Sequence, residues 1–285
     1  MRTKKMTLFL ICAAVLVVAA GCAAVKPTAA LNMMVPSGGY NKQQFSYGKN
    51  RRQSLDIYTP KTATSKIPIV FVYGGAWRSG SKQDYLFVAQ ALTSLGHPVI
   101  IPDYRLYPEV QFPGFIDDVA DAIQFMDRQT NTSLTKPFNE YILMGHSAGA
   151  HSAALLAADT KYFRERGISA QLKGLIAISG PYDLPMNDPE VLPVFKTSTA
   201  DKTKVTANVR QGMPPTLLLH GLADTRVKPF HTERFRDALK RNGNDVTARL
   251  YPGVNHTKII GSLALPLRFL NNSFEDVKGF LGRYQ

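Results

Sequence analysis

Tyr141-Ile142-Leu143-Met144-Gly145-His146-Ser147-Ala148-Gly149-Ala150 decides how the rest of the chain is read. Four mostly apolar residues lead into Gly-x-Ser-x-Gly, and a small-residue run with helical character follows from Ala148 to Ala158. That order predicts a strand, a sharp turn with a serine at its apex, and a helix. Such a turn strains the backbone of its serine and pushes the hydroxyl away from the sheet. Side chains in place of Gly145 or Gly149 would obstruct the tight crossing of strand and helix. Ser147 then stands near a helix N-terminus, where developing negative charge is stabilised. The five-residue spacing alone is weak. The strand before it and the helix after it separate a nucleophile turn from a glycine-rich bend.

Outward from this turn, strands and helices alternate. Ile67–Tyr73 is a continuous apolar run, as suits a strand buried on both faces of a parallel sheet. It ends in Gly74-Gly75-Ala76-Trp77, where two glycines leave backbone N–H groups open to a ligand. Asp84–Leu95 reads as a helix stopped by Gly96, Val99–Pro102 as a strand, and Phe115–Arg128 as a helix with one apolar face. Gln43–Tyr47 and Gln53–Tyr58 read as a hairpin at a sheet edge. After the serine come strands at Gly174–Ser179, Thr216–His220 and Val246–Tyr251, a helix over Phe230–Arg241, and a closing helix near Ser273–Tyr284. Gly180–Pro214 has no clear periodicity, and a connection of that length suits a lid or binding loop. The alternation predicts an α/β domain over residues 43–285, with a mostly parallel sheet covered on both faces.

Composition narrows the function classes. Both cysteines, Cys12 and Cys22, lie near the N-terminus, so residues 43–285 have no thiol nucleophile, disulfide framework or cysteine zinc site. The net charge of +13 could suit nucleic acid or an anionic membrane. However, the basic residues are scattered, apart from Lys49-Asn50-Arg51-Arg52, and no nucleic-acid-binding motif accompanies them. They read as a solvated basic surface, and no nucleic-acid partner is expected. Residues 1–22 read as an export signal: Arg2, Lys4 and Lys5, then apolar Met6–Ala20, then Ala19-Ala20-Gly21-Cys22. The small residues before Cys22 resemble a bacterial lipobox, although Ala19 stands where Leu is usual. Lipidation of Cys22 would anchor an exported protein in the cell envelope. Retention of the apolar N-terminal segment as an uncleaved anchor, or cleavage to a soluble form, are the rival readings. Residues 23–42, with Pro27, Pro36, Gly38 and Gly39, read as a tether.

A serine hydroxyl needs a base to take its proton, and the base needs a carboxylate to fix its tautomer. In parallel sheets such groups sit on loops at the C-terminal ends of strands. Asp224 lies four residues past the strand ending at His220, and His256 lies just past the strand ending near Tyr251. The other histidines fit less well. His97 precedes a strand, His146 adjoins the serine and His151 lies within the following helix. His220 is expected to pack under the acid loop, and His231, opening a helix, to face solvent or its own helix terminus. Asp188 and Asp201 lie in the long connection as substitutes for Asp224. The oxyanion hole is expected to use the N–H of Ala148 and one from Gly74, Gly75 or Ala76, with Gly75 favoured.

Gly74-Gly75-Ala76-Trp77, Asp103-Tyr104-Arg105-Leu106-Tyr107-Pro108-Glu109, Phe112-Pro113, Asp117-Asp118, Gly145-His146-Ser147-Ala148-Gly149 and His220-Gly221-Leu222-Ala223-Asp224 resemble serine carboxylesterases of the α/β-hydrolase superfamily. The nearest branches are the hormone-sensitive-lipase-like and BD-FAE-type esterases, with kynurenine formamidase close by. The resemblance covers roughly Gln43 to the C-terminus. It implies the α/β-hydrolase fold with a small lid or insert after the sixth strand. It also implies a Ser147–Asp224–His256 triad acting on a small-molecule ester through an acyl-enzyme, with neither cofactor nor metal. Trp77 and Tyr107, with the connection around Tyr182–Phe195, are expected to shape the substrate pocket. The family commonly has His where this chain has Tyr73, so the oxyanion loop is expected to be supported differently. Arg105 is expected to pair with Glu109, Asp117 or Asp118. An amidase or peptidase of the same fold, and a non-catalytic envelope binding protein, are the alternatives.

Overall fold

A computed structural model describes residues 27–284 except 37, 66, 130–137, 185, 197 and 198. The export signal, the Cys22 lipobox and the apolar anchor all fall outside these residues. Among the described residues, no helix is long and apolar enough to cross a membrane.

Eight strands form one sheet in the order β1-β2-β4-β3-β5-β6-β7-β8. They are β1 Tyr40–Ser46, β2 Ser54–Pro60, β3 Ile69–Val72, β4 Val99–Pro102, β5 Glu140–His146, β6 Gln171–Ile178, β7 Thr216–Gly221 and β8 Val246–Tyr251. β1–β2 and β2–β4 pair antiparallel, and every other neighbour pair is parallel. The edge strands β1 and β8 have exposed positions, as does the first residue of β6, whereas β3 and β7 are buried throughout. This follows from their sequences: Ile-Val-Phe-Val and Thr-Leu-Leu-Leu-His-Gly have no face that gains by meeting water. β2 alternates apolar and polar residues but is also buried throughout. Its Asp56 carboxylate is paired with the buried Lys82 ammonium at 2.9 Å and with Lys42 at 2.7 Å.

Helices cover both faces. They are α1 Pro27–Met34, α2 Leu86–Thr93, α3 Gly114–Arg128, α4 Ala148–Ala158, α5 Phe230–Arg241, α6 His256–Gly261 and α7 Ser273–Leu281, with single-turn helices between them. α4 packs along β5, β3 and β6 at the centre of the sheet. Among its described residues, the insert after β6 contains only short helical turns, Leu192–Phe195, Ala200–Thr203 and Val205–Ala207. The chain order of the strands reverses between β3 and β5. There the loops leaving adjacent strand ends diverge and open a crevice.

The stretch read as a tether is in part folded. α1 spans Pro27–Met34, and Val35 is buried after it. The Asn32 side chain donates to the Gln83 carbonyl at 2.7 Å and accepts from the Phe87 N–H at 3.0 Å. α1 therefore satisfies a free donor at the start of α2. Pro27 suits the first position of a helix, and the Ala-Ala-Leu-Asn-Met-Met run after it carries helix-forming residues.

Candidate active site

Ser147 sits directly at the end of β5 with φ 57° and ψ −124°, a left-handed backbone that a non-glycine residue adopts only under constraint. The constraint is visible. The Ser147 N–H donates to the Ile178 carbonyl of β6 at 2.9 Å, and α4 begins at the next residue. A Cβ on Gly149 would collide with the Val72 and Tyr73 carbonyls, and one on Gly145 with the Gly149 backbone. The two glycines thus let α4 cross β3 and β5 at close range.

His256 Nε2 accepts from the Ser147 hydroxyl at 2.9 Å, and its Nδ1–H donates to Asp224 Oδ2 at 2.7 Å. Asp224 is fully buried on the loop after β7. Its Oδ1 accepts from the N–H groups of Arg226 and Val227, both at 2.9 Å. Burial opposes its charge, but hydrogen bonds from His220, His256 and the Val227 N–H outweigh it and hold the carboxyl well below its usual range. The carboxylate is therefore charged and fixes the His256 tautomer whose Nε2 faces the serine. His256 does not hang on a flexible run. It opens α6, whose N-cap Asn255 accepts from the Lys258 N–H at 2.9 Å.

His220 packs under the acid loop. Its Nε2–H donates to the Val227 carbonyl at 2.9 Å and lies 3.4 Å from Asp224 Oδ2. Its Nδ1 accepts from the Thr232 hydroxyl at 2.7 Å. His146 braces the other side, donating from Nε2 to the His256 carbonyl at 3.2 Å. Burial, and then the neighbouring His256, push it down to about 3. His151 is buried in α4 and donates to the Thr203 carbonyl at 2.7 Å, tying the insert to the serine helix. His231 departs from expectation: it does not face solvent, but is 5 % exposed and lines a cavity beside Ser147. Its position in the sequence carries no sign of this, because its neighbours come from the insert and the acid loop.

The Gly74–Gly80 loop is held in an unusual shape. Gly75 has φ 137°, and Ala76 and Trp77 have φ 53° and 58°. The Gly75 carbonyl accepts from the N–H groups of Arg78 and Ser79, both at 3.0 Å. The N–H groups of Gly75, Ala76 and Ala148 meet no acceptor among the described residues, and all three residues border Ser147. Donors of this kind are free for an oxyanion. Tyr73 supports the loop from beneath. Its hydroxyl donates to Asp103 at 2.8 Å and accepts from Arg52 at 2.9 Å. Arg52, read as part of a solvated cluster, also donates to the Tyr104 and Gly80 carbonyls at 2.8 and 2.7 Å. Arg105 pairs with Asp118, at 2.7 Å from its Nη2, while Asp117 pairs with Arg166.

Two cavities meet at Ser147. One, of about 100 Å³, is lined by Trp77, Ala148, Leu184, Val191, Val227 and His231 among others. The other, of about 690 Å³, runs past Gly74, Gly75, Arg78, His146, His256 and Thr257. Arg226 and Glu190, paired at 2.7 Å, border both. Trp77 lines the smaller cavity from a nearly buried position between Phe115, His151 and Phe195. Tyr107 lines neither. It supports Arg78, whose guanidinium lies 4.3 Å from its ring centre. Asp188 is occupied in its own turn, accepting from the Glu190 N–H at 2.7 Å.

The arrangement is similar to known hydrolases. A probable isoprenylcysteine alpha-carbonyl methylesterase from Oryza sativa subsp. japonica is 32 % identical over 247 residues, covering 78 % of this chain and 59 % of that one. Kynurenine formamidase of Salmo salar is 28 % identical over 174 residues, covering 61 % of this chain and 54 % of that one. The chain thus spans a little under three fifths of these relatives' lengths. Among solved structures, a truncated carbohydrate esterase from gut microbiota superposes with TM-score 0.74 at 20 % identity, over 87 % of this chain and 98 % of that one. An inhibited esterase B from Lactobacillus rhamnosis gives 0.74 at 19 %, over 95 % and 96 %. These share the α/β-hydrolase fold of this chain. The family model that matches residues 55–239 spans β2 to α5 and includes both Ser147 and Asp224, and the chain belongs to the BD-FAE family.

Proposed function

We propose that this protein is a serine hydrolase of carboxylic esters. The observation that carries the reading is the continuous hydrogen-bonded chain Ser147–His256–Asp224, at 2.9 and 2.7 Å. Ser147 Oγ attacks the acyl carbon while His256 Nε2 takes its proton. Asp224 stabilises the imidazolium that forms. The oxyanion is held by the Ala148 N–H and by those of Gly75 or Ala76. His256 returns the proton to the leaving alcohol, and water then releases the acyl group by the same steps in reverse. A fluorophosphonate probe is expected to label Ser147. Ser147→Ala should abolish labelling and lower kcat by more than about a thousandfold, with the fold intact by circular dichroism. Retained turnover would reject Ser147 as nucleophile, and an unlabelled wild-type protein would favour the binding-protein alternative.

A second reading, amide hydrolysis, draws on the similarity to kynurenine formamidases. Matched ester and anilide substrates separate the two, because an amidase would keep a comparable kcat/KM on the anilide. We also propose export and anchoring through Cys22, a reading supported by the basic start, the apolar run and the small residues before that cysteine.

A further inference from the structure

His231 takes no part in the Ser147 chain or in its braces. It stands in the first turn of α5, and its Nδ1 accepts from the Asp183 N–H at 3.2 Å. A neutral imidazole that accepts at Nδ1 carries its proton on Nε2. Burial, above all, pushes this ring down to about 4, so it is neutral in ordinary buffers. The Phe230 ring stacks on it at 4.2 Å. Its Nε2–H meets no acceptor among the described residues. Nε2 is not sealed from solvent, and His231 lines the cavity of about 100 Å³ beside Ser147, so the donor is open to an acceptor on a bound ligand.

The two cavities divide the substrate between them. His256 hands its proton to the leaving alcohol, so the alcohol must lie on the His256 side. His256 and Thr257 line the larger cavity. The smaller cavity, next to Ala148, is left for the acyl chain. At about 100 Å³ against about 690 Å³ it is much the tighter of the two, which suits a short chain.

Resting on the serine-esterase reading, we infer that this cavity is a subsite for a short acyl chain bearing an oxygen acceptor, and that His231 Nε2–H is the donor that selects it. Trp77, Leu184 and Val227 supply apolar walls; of the polar lining, Glu190 and Arg226 are paired with each other and Asp188 is an acceptor, which leaves His231 as the neutral donor.

The test compares p-nitrophenyl methoxyacetate with p-nitrophenyl butanoate. Their acyl chains are of equal length and differ by one oxygen. Each kcat/KM is divided by the ester's own rate with hydroxide. The unaltered enzyme is expected to favour methoxyacetate at least about tenfold. In His231→Leu this ratio should fall to near one, whatever the absolute rates do. His231→Gln, which keeps an N–H donor, should retain part of it. Octanoate should fall about tenfold or more below butanoate. A ratio near one in the unaltered enzyme, a ratio unchanged in His231→Leu, or octanoate turned over as fast as butanoate would overturn the subsite. If His231→Leu does not fold, the unaltered enzyme and His231→Gln decide. Fluorophosphonate labelling of the same preparations separates the two failures. Labelled Ser147 with a flat ratio rejects only the subsite, whereas unlabelled Ser147 rejects the esterase reading and the subsite with it.

Discussion

Tyr73 puts its hydroxyl between Asp103 and Arg52 under the Gly74–Gly80 loop. Arg52 is the wider clamp, since it also holds the Tyr104 and Gly80 carbonyls. One guanidinium thus ties the β1–β2 turn to both ends of the Gly74–Gly80 loop. Arg52→Ala should lower stability by about 2–3 kcal/mol, read as a shift in urea midpoint at constant m. It should also lower kcat, because the Gly75 and Ala76 amides lose their support. Arg52→Lys should rescue little, because a single ammonium cannot reproduce a planar fork. No local pattern distinguishes Arg52 from Lys49 and Arg51. Its partners lie up to 52 positions away, and only their convergence makes it structural.

The serine elbow is the element that the sequence describes most fully. β5, the turn and α4 all lie within one stretch, and Gly145 and Gly149 are the residues that their crossing demands. Two glycine substitutions test this crowding against bare propensity. Gly149→Ala places a methyl against the Val72 and Tyr73 carbonyls, which are backbone and cannot give way. It should cost about 3 kcal/mol or more and reduce soluble yield. Gly279 lies within α7 with nothing in 4 Å of an added Cβ, so Gly279→Ala should raise stability by about 0.5–1 kcal/mol in the same assay. α1 shows the opposite limit. Its short sequence reads as tether because eight residues rarely hold a helix alone, and docking on α2 supplies what propensity does not.

Across the whole molecule, buried neutral histidines set a dependence on pH. Burial pushes His146 down to about 3 and His151 and His231 to about 4. In the unfolded chain each takes up a proton near about 6.5. Below that pH the unfolded state binds more protons, so stability is complete above about pH 6.5 and falls as pH drops toward 4. The slope is at most about 1.4 kcal/mol per unit for each histidine. Urea midpoints should therefore decline steadily from pH 7 to pH 5, and a flat profile would contradict neutral burial. Cys22→Ser tests the proposed anchor. The variant should leave the detergent phase or accumulate as an unprocessed precursor, whereas unchanged partitioning and mass would favour an uncleaved segment.

The strand and helix order, the serine at its turn, the edge hairpin and the Asp224 and His256 positions were legible in the chain because each is written locally. Apolar runs, glycine stops and strand ends need no distant partner to be recognised. Only the tertiary structure decided the rest. It brought Arg52 under a loop 28 residues away, chose Asp118 for Arg105 and withdrew Tyr107 from the pocket wall. It also turned His231 inward beside Ser147. Each of these depends on how loops and helices from separate parts of the chain converge on one another. Contacts made there join residues far apart in the chain, and the spacing of side chains along one segment does not encode which segment will face it.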